Sequence, residues 1–132
     1  MNKKILITAS LLGATAIVLG AFGAHALKKV LTEIQLNTFE VGVRYQFYHA
    51  LFLLFIANIN HLSSKTKKII LNLVLLGQLF FSGSIYLLSL QDVLNCNLKF
   101  LGPITPIGGC LLIAAWIVLL IAVVKDKSQK EN

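Results

Sequence analysis

Charge is what this sequence has least of. Asp, Glu, Lys and Arg make up 13% of its 132 residues, where about 25% is usual in soluble domains. Only five residues are acidic, and none lies in the middle of an apolar run, which speaks against proton-coupled transport. Two cysteines, Cys96 and Cys110, are too few for a disulfide framework. No Gly-rich phosphate loop, His-Glu zinc motif or CxxC pair occurs, so no nucleotide, hydrolase, kinase or redox signature is present. What fills the chain instead is apolar: 57% of residues are hydrophobic and the mean hydropathy is +0.81. A soluble domain of 14.5 kDa buries only about two-thirds of its surface and could not hide that much apolar material. Lipid must cover the excess.

The net charge of +7 would suggest nucleic acid in a soluble protein. Here the basic residues stand in short runs between apolar segments, as at the ends of membrane helices. No basic helix or aromatic-rich basic strand is available to enter a groove, so nucleic acid is not expected as a partner.

Four apolar segments follow one another. Ile5–Ala24 is an uncharged run of twenty residues, about 30 Å as a helix, one hydrocarbon thickness. A signal peptide competes for it, because Ala24-His25-Ala26 has the A-x-A cleavage form. The run exceeds a usual signal core and further spans follow, so a retained helix is expected. Leu27, Val30, Leu31 and Ile34 then recur at helical spacing, predicting a short amphipathic surface helix over 26–36. Asn37 and Glu40 fit a capping box, with Leu36 and Val41 as hydrophobic staple, so a new helix is expected near Thr38. Its span is 41–59, with Glu40 and Arg44 one turn apart as an ion pair near the interface. Asn60–Lys68 reads as a basic loop, 69–90 as the third span, and 91–105 as a loop. Pro106 suits the first residue of the fourth span, 106–124, and 125–132 is a charged tail.

Lys and Arg number eight in the N-terminus, the 60–68 loop and the tail, against four in the other two segments. The positive-inside rule then places both termini in the cytoplasm. Apolar burial does little to join helices in lipid, so small residues and interhelical hydrogen bonds must do it. Gly13, Gly20, Gly23, Gly83, Gly108 and Gly109 are the expected packing positions, with Ala9 and Ala16 completing a small face on the first span.

With these spans, His25, Arg44, Tyr45, Gln46, His49, Gln78, Ser82, Ser84, Tyr86 and Thr105 converge on the outer half of the bundle. They are the candidate polar cluster. His25 and His49 could share a metal, a proton or a polar ligand. The competing reading is a hydrogen-bonded packing histidine, and two histidines from different helices are a weak metal signal without further ligands. Gln78, Ser82 and Ser89 either line a polar seam or form interhelical hydrogen bonds. Trp116, near the centre of the fourth span, is expected to pack and to find a partner for its indole N–H. No residue is assigned a catalytic role, and neither metal nor cofactor is expected.

The motifs GAFGAH (20–25), RYQFYHA (44–50), FSGSIY (81–86) and TPIGG (105–109), followed by Trp116, occur in this order. Together they resemble domain-of-unknown-function family 423, small bacterial inner-membrane proteins. The resemblance implies a four-helix multi-pass protein of the cytoplasmic membrane that keeps its first span, and it brings no activity. The expected protein is therefore all-α: a single-domain four-helix transmembrane bundle with a short amphipathic surface helix. Its expected role is non-enzymatic, with the polar cluster binding a small ligand, lipid or partner. The bilayer, and a second copy or another membrane protein, are the expected partners. Two alternatives stand beside it: an oligomeric transporter or channel subunit, and a membrane enzyme using His25 and His49.

Overall fold

Thr32 decides where the second helix begins. Its backbone is extended (φ −66°, ψ 161°), its Oγ1 accepts from the Gln35 N–H at 3.3 Å, and its own N–H donates to Gln35 Oε1 at 3.0 Å. This capping box stands five residues upstream of the expected one at Asn37 and Glu40. It places Glu33 in the first turn, where the helix dipole favours an acid.

The structure, a computed structural model, describes residues 1–130. Four helices account for most of it: α1 (Asn2–His25), α2 (Glu33–Asn58), α3 (Ser64–Leu90) and α4 (Ile104–Lys130). The expected surface helix over 26–36 is not formed. Leu27–Lys29 make one 3₁₀ turn, the extended Thr32 breaks the pattern, and Glu33 onward belongs to α2. Leu27 and Leu31 are buried with Phe39, while Val30 and Ile34 are exposed. The apolar spacing was therefore shared between two elements rather than carried by one.

The other boundaries shift outward. Ser63 caps α3 by accepting the Thr66 N–H at 3.1 Å, so Lys65, Lys67 and Lys68 are helical rather than part of a loop. α4 starts at Ile104, two residues before Pro106. Proline is tolerated there because N–H groups of the first turn have no intrahelical partner. At its other end α4 runs on to Lys130 through most of the expected tail. Residues 131–132 of that tail lie outside the described residues.

The helices pack in chain order, α1 on α2, α2 on α3 and α3 on α4, without comparable packing of α4 on α1. At one end of the bundle the N-termini of α1 and α3 meet, with α2 running antiparallel to both: Lys67 Nζ, in the first turn of α3, donates to Asn2 Oδ1 of α1 at 2.9 Å. It also donates to the Ala57 carbonyl of α2 at 3.1 Å. An ammonium on a C-terminal carbonyl satisfies an orphan acceptor and complements the helix dipole.

α1, α3 and α4 are each long and apolar enough to cross a membrane; α2, which holds Glu33, Glu40, Arg44, Gln46 and His49, is not among them. Leu11, Ile17 and Val18 on α1, and Ile113, Leu120 and Val124 on α4, are each about 60% exposed. Apolar surface on that scale is what lipid contact requires and water does not tolerate.

Small residues set the helix separations. Ideal Cβ atoms on Gly13, Gly20 and Gly23 of α1 would stand 3.7, 3.4 and 3.3 Å from Ala50, Val43 and Phe39 of α2. The descending partner numbers show one stripe of α1 receiving an antiparallel α2. Between α3 and α4 the approach is closer. A Cβ on Gly108 would fall on the backbone of Phe80 and Phe81, 2.6 Å from the Phe80 carbonyl carbon. Gly109 has the ring of Phe81 at 3.6 Å. Gly83 faces only its own helix, with nothing nearer than 3.9 Å, so it does not pack. Gly42 and Gly77 do, against Tyr86 at 2.7 Å and Leu112 at 2.6 Å.

Replacing Gly108 by Ala should therefore cost about 1–3 kcal/mol, as overpacking against backbone does. Gly83→Ala should stay within about 0.5 kcal/mol of the parent. Unfolding of the detergent-solubilised protein, followed by circular dichroism, checks both. Equal effects would show that α3 and α4 are not in backbone contact at Gly108.

Candidate functional site

A glutamine buried in an apolar bundle has four hydrogen-bonding capacities to satisfy, two donors and two acceptors. Gln46 of α2 uses three of them. Its Nε2 donates to the Leu12 carbonyl at 2.9 Å and to Thr15 Oγ1 at 2.7 Å, both on α1. Its Oε1 accepts from the Tyr86 hydroxyl of α3 at 2.7 Å. Thr15 passes its own proton to the Leu11 carbonyl at 2.7 Å. One amide thus joins three helices.

One turn away lies a second joint. Gln78 Nε2 donates to the Tyr45 carbonyl at 3.1 Å. The Ser82 hydroxyl, 2% exposed, has two acceptors at 2.8 Å, the Gly42 carbonyl and Gln78 Oε1. Ser84 of α3 and Thr105 of α4 share a hydroxyl–hydroxyl contact of 2.5 Å. Ser89 folds back on the Ile85 carbonyl at 2.8 Å, so it serves its own helix.

The expected cluster therefore divides. Gln46, Gln78, Ser82 and Tyr86 come together, and Ser84 pairs with Thr105. Leu12 and Thr15 fall midway along α1, so the Gln46 joint lies at mid-length and not at one end. His25, the last residue of α1, is exposed and does not meet His49. Arg44 is also exposed and makes no ion pair with Glu40 within 4.0 Å; as neighbours on a solvent- or headgroup-facing surface they gain little by pairing. No group of three metal-ligating side chains occurs among the described residues. Cys96 and Cys110 are free and exposed. Thr15 was not anticipated; it is one of three hydroxyl residues of the first span, with Thr8 and Ser10, and nothing in the sequence singled it out.

His49 is different from the rest. It is 5% exposed, and its Nδ1 lies 2.8 Å from the Tyr45 carbonyl one turn back. Nε2 is buried with no hydrogen-bond partner. The imidazole lines a groove of about 350 Å³ between α2 and α4, together with Tyr45, Phe81, Gly109, Leu112, Ile113 and Trp116. Aromatic rings order this wall. Tyr45 and Phe81 have centroids 5.0 Å apart, and Trp116 stacks on Phe52 at 4.1 Å. Trp116 is half-exposed, and among the described residues its indole N–H finds no acceptor, contrary to expectation.

Residues 19–109 match the family described as "Protein of unknown function (DUF423)". The chain belongs to the DUF423 family. It is 39% identical over 123 residues to a UPF0382 membrane protein of Staphylococcus haemolyticus, covering 93% of this chain and 97% of that one. Its identity to the UPF0382 membrane protein YwdK of Bacillus subtilis is 35% over 125 residues, with 93% and 98% covered. A UPF0382 membrane protein of Haemophilus influenzae is 34% identical over 128 residues, with 97% and 99% covered. No solved structure matches the chain. This DUF423 chain is thus a helical membrane protein. The matched segment contains Gln46, His49, Gln78, Ser82 and Tyr86, and stops short of Trp116.

A double-mutant cycle tests the central joint. Tyr86→Phe and Gln46→Leu, measured singly and together, should show a coupling of about 0.6–1.7 kcal/mol, the range for interhelical hydrogen bonds in membrane proteins. His25→Ala should change stability by less than about 0.5 kcal/mol. Thermal or SDS-induced unfolding gives all four values, and additive effects of the first pair would remove the joint.

Proposed function

We propose that this chain is a non-enzymatic protein of the bacterial cytoplasmic membrane that crosses the bilayer four times and binds a small amphiphile, taken laterally from the lipid, in the His49 groove. The observation that carries the reading is His49 itself. An unpaired buried polar atom costs about 1–3 kcal/mol, and the ring that carries this one lines a groove walled by aromatic and aliphatic side chains. A concave, largely apolar site with one or two placed polar groups is the usual form of a small-molecule site.

The orientation rests on charge. Lys3, Lys4, Lys65, Lys67, Lys68 and Lys125 gather at the end of the bundle where Asn2 meets Lys67. Two further lysines follow in the sequence of the tail. The positive-inside rule puts that end, and both termini, in the cytoplasm. α2, at 26 residues, is long enough to span, and its polar Gln46 is satisfied by its neighbours.

Two rivals fare less well. A transport path along Gln46, Gln78, Ser82 and Tyr86 would need polar groups able to greet a passing solute, and these are committed to one another. An enzyme built on a histidine pair would need His25 and His49 together, and His25 is exposed at the end of its helix. A second copy of the chain remains a natural partner for the exposed faces of α1 and α4.

Two measurements test the proposal. In spheroplasts, a membrane-impermeant maleimide should label Cys96 in a Cys110→Ser background; labelling only after lysis would invert the topology. In detergent, a panel of ring-bearing amphiphiles should raise the melting temperature. A ligand of the folded state at 100 times its Kd adds about 2.7 kcal/mol. Gly109→Leu, which fills the groove, should abolish the shift, while Gly109→Ala, with the Phe81 ring at ordinary contact distance, should keep it. A shift that survives Gly109→Leu would place binding elsewhere.

A further inference from the structure

The hydrogen bonds around His49 fix what kind of ligand its groove can take. The Tyr45 carbonyl can only accept, so the Nδ1 that lies 2.8 Å from it carries the proton. No Asp or Glu lines the groove to balance an imidazolium, and an isolated charge among apolar walls is costly. The ring is therefore neutral, and a neutral imidazole protonated on Nδ1 leaves Nε2 as a bare acceptor. Because Nδ1 is tied back to the backbone of its own helix, Nε2 is the edge of the ring left to meet a ligand. That edge is the one with no partner.

We infer that the groove selects ring-bearing amphiphiles that donate a hydrogen bond, phenolic hydroxyls foremost, and that Nε2 of His49 accepts it. The inference rests on the groove reading above and adds the ligand class. The remaining chemistry of the wall agrees with a phenol. Phe81, Tyr45 and Trp116 offer faces and edges for an aromatic ring. The Tyr45 hydroxyl and the Trp116 indole N–H, neither of them hydrogen-bonded among the described residues, are donors for the second lone pair of a ligand hydroxyl. Tyr45 and Trp116 are also half-exposed at the rim of the lining. A volume of about 350 Å³ admits a substituted single ring. Neither a metal ion nor a carboxylate fits this lining: one imidazole is too few ligands for the first, and the second would bring an acceptor to an acceptor.

The chain holds one tryptophan, Trp116, so the groove carries its own reporter. Full-length protein in phosphatidylethanolamine–phosphatidylglycerol vesicles would be titrated with 4-bromophenol and with 4-bromoanisole, concentrations being corrected for partition into lipid. The two rings differ only in O–H against O–CH3, so the ether keeps the ring and the oxygen but cannot donate, and bromine quenches tryptophan at contact. Saturable quenching by the phenol about tenfold tighter than by the ether is expected, the scale of leaving one buried acceptor unpaired. His49→Phe, which keeps a ring against Phe52 and loses the nitrogen, should bring the two affinities together. Saturable and equal binding of both probes to the wild type would overturn the donor inference while leaving the groove as a ligand site. No saturable quenching by either would overturn the groove reading, and this inference with it. The wild-type comparison decides the matter even if the variant does not fold.

Discussion

The amide of Gln46 is the joint on which three of the four helices meet. Its importance follows from the solvent. In water, burying leucine and isoleucine drives helices together; in a bilayer the lipid tails are as apolar as the side chains, so that drive vanishes. What remains is close packing and hydrogen bonding, and a glutamine at mid-length can use only partners on neighbouring helices. By donating twice to α1 and accepting once from α3, Gln46 sets the heights of both relative to α2. Sliding either helix by one turn would break two bonds or one in a medium with no water to replace them.

The α3–α4 pair solves the same problem differently. Gly108 and Gly77 let the two backbones approach as closely as any in the structure, and Ser84 with Thr105 adds one polar contact near the start of α4. Among the described residues this seam has that one interhelical side-chain hydrogen bond, whereas the α1–α2–α3 seam combines its small-residue packing with several. The consequence is asymmetric freedom. Where α2 and α4 approach each other they are held by aromatic contact, Phe52 on Trp116, and beside that contact a groove stays open. Among the described residues it is the only joint with a buried side-chain polar atom left without a partner.

The fold was legible in the sequence because its signals are long and redundant. Runs of about twenty apolar residues announce spanning helices whatever the details, and the small-residue stripe of α1 announced its packing face. What misled was short-range pattern. Thr32-x-x-Gln35 and Asn37-x-x-Glu40 both fit a capping box, and nothing local ranks them; the first prevails because Leu27 and Leu31 turn inward to Phe39 and leave Thr32 at the bend. The basic stretch before residue 69 looked like a loop, yet Ser63 caps a helix and Lys67 is drawn inward by the Ala57 carbonyl. The polar cluster was half legible. Span assignment gives depth along a helix but not rotation about it, and rotation separates the buried Gln46 and His49 from the exposed Arg44, Tyr45 and Tyr48 on the same two turns. Thr15 and Gly42 were invisible for the same reason, since each matters only through the partner it faces.

Satisfaction of the polar groups bears directly on what the bundle can do. A permeation path needs polar side chains whose hydrogen bonds can be exchanged for those of a moving solute, at little cost per step. Gln46, Gln78, Ser82 and Tyr86 would each have to abandon an interhelical bond to greet one, and the helices would lose their register in the act. A resting site has the opposite requirement: a rigid frame and one group with spare capacity. The frame is what these four residues supply, and His49 supplies the spare capacity, its Nδ1 pinned by the same Tyr45 carbonyl that accepts from Gln78. That shared carbonyl makes the groove part of the frame, because anything that tilts α3 at Gln78 also moves the acceptor that orients the His49 ring.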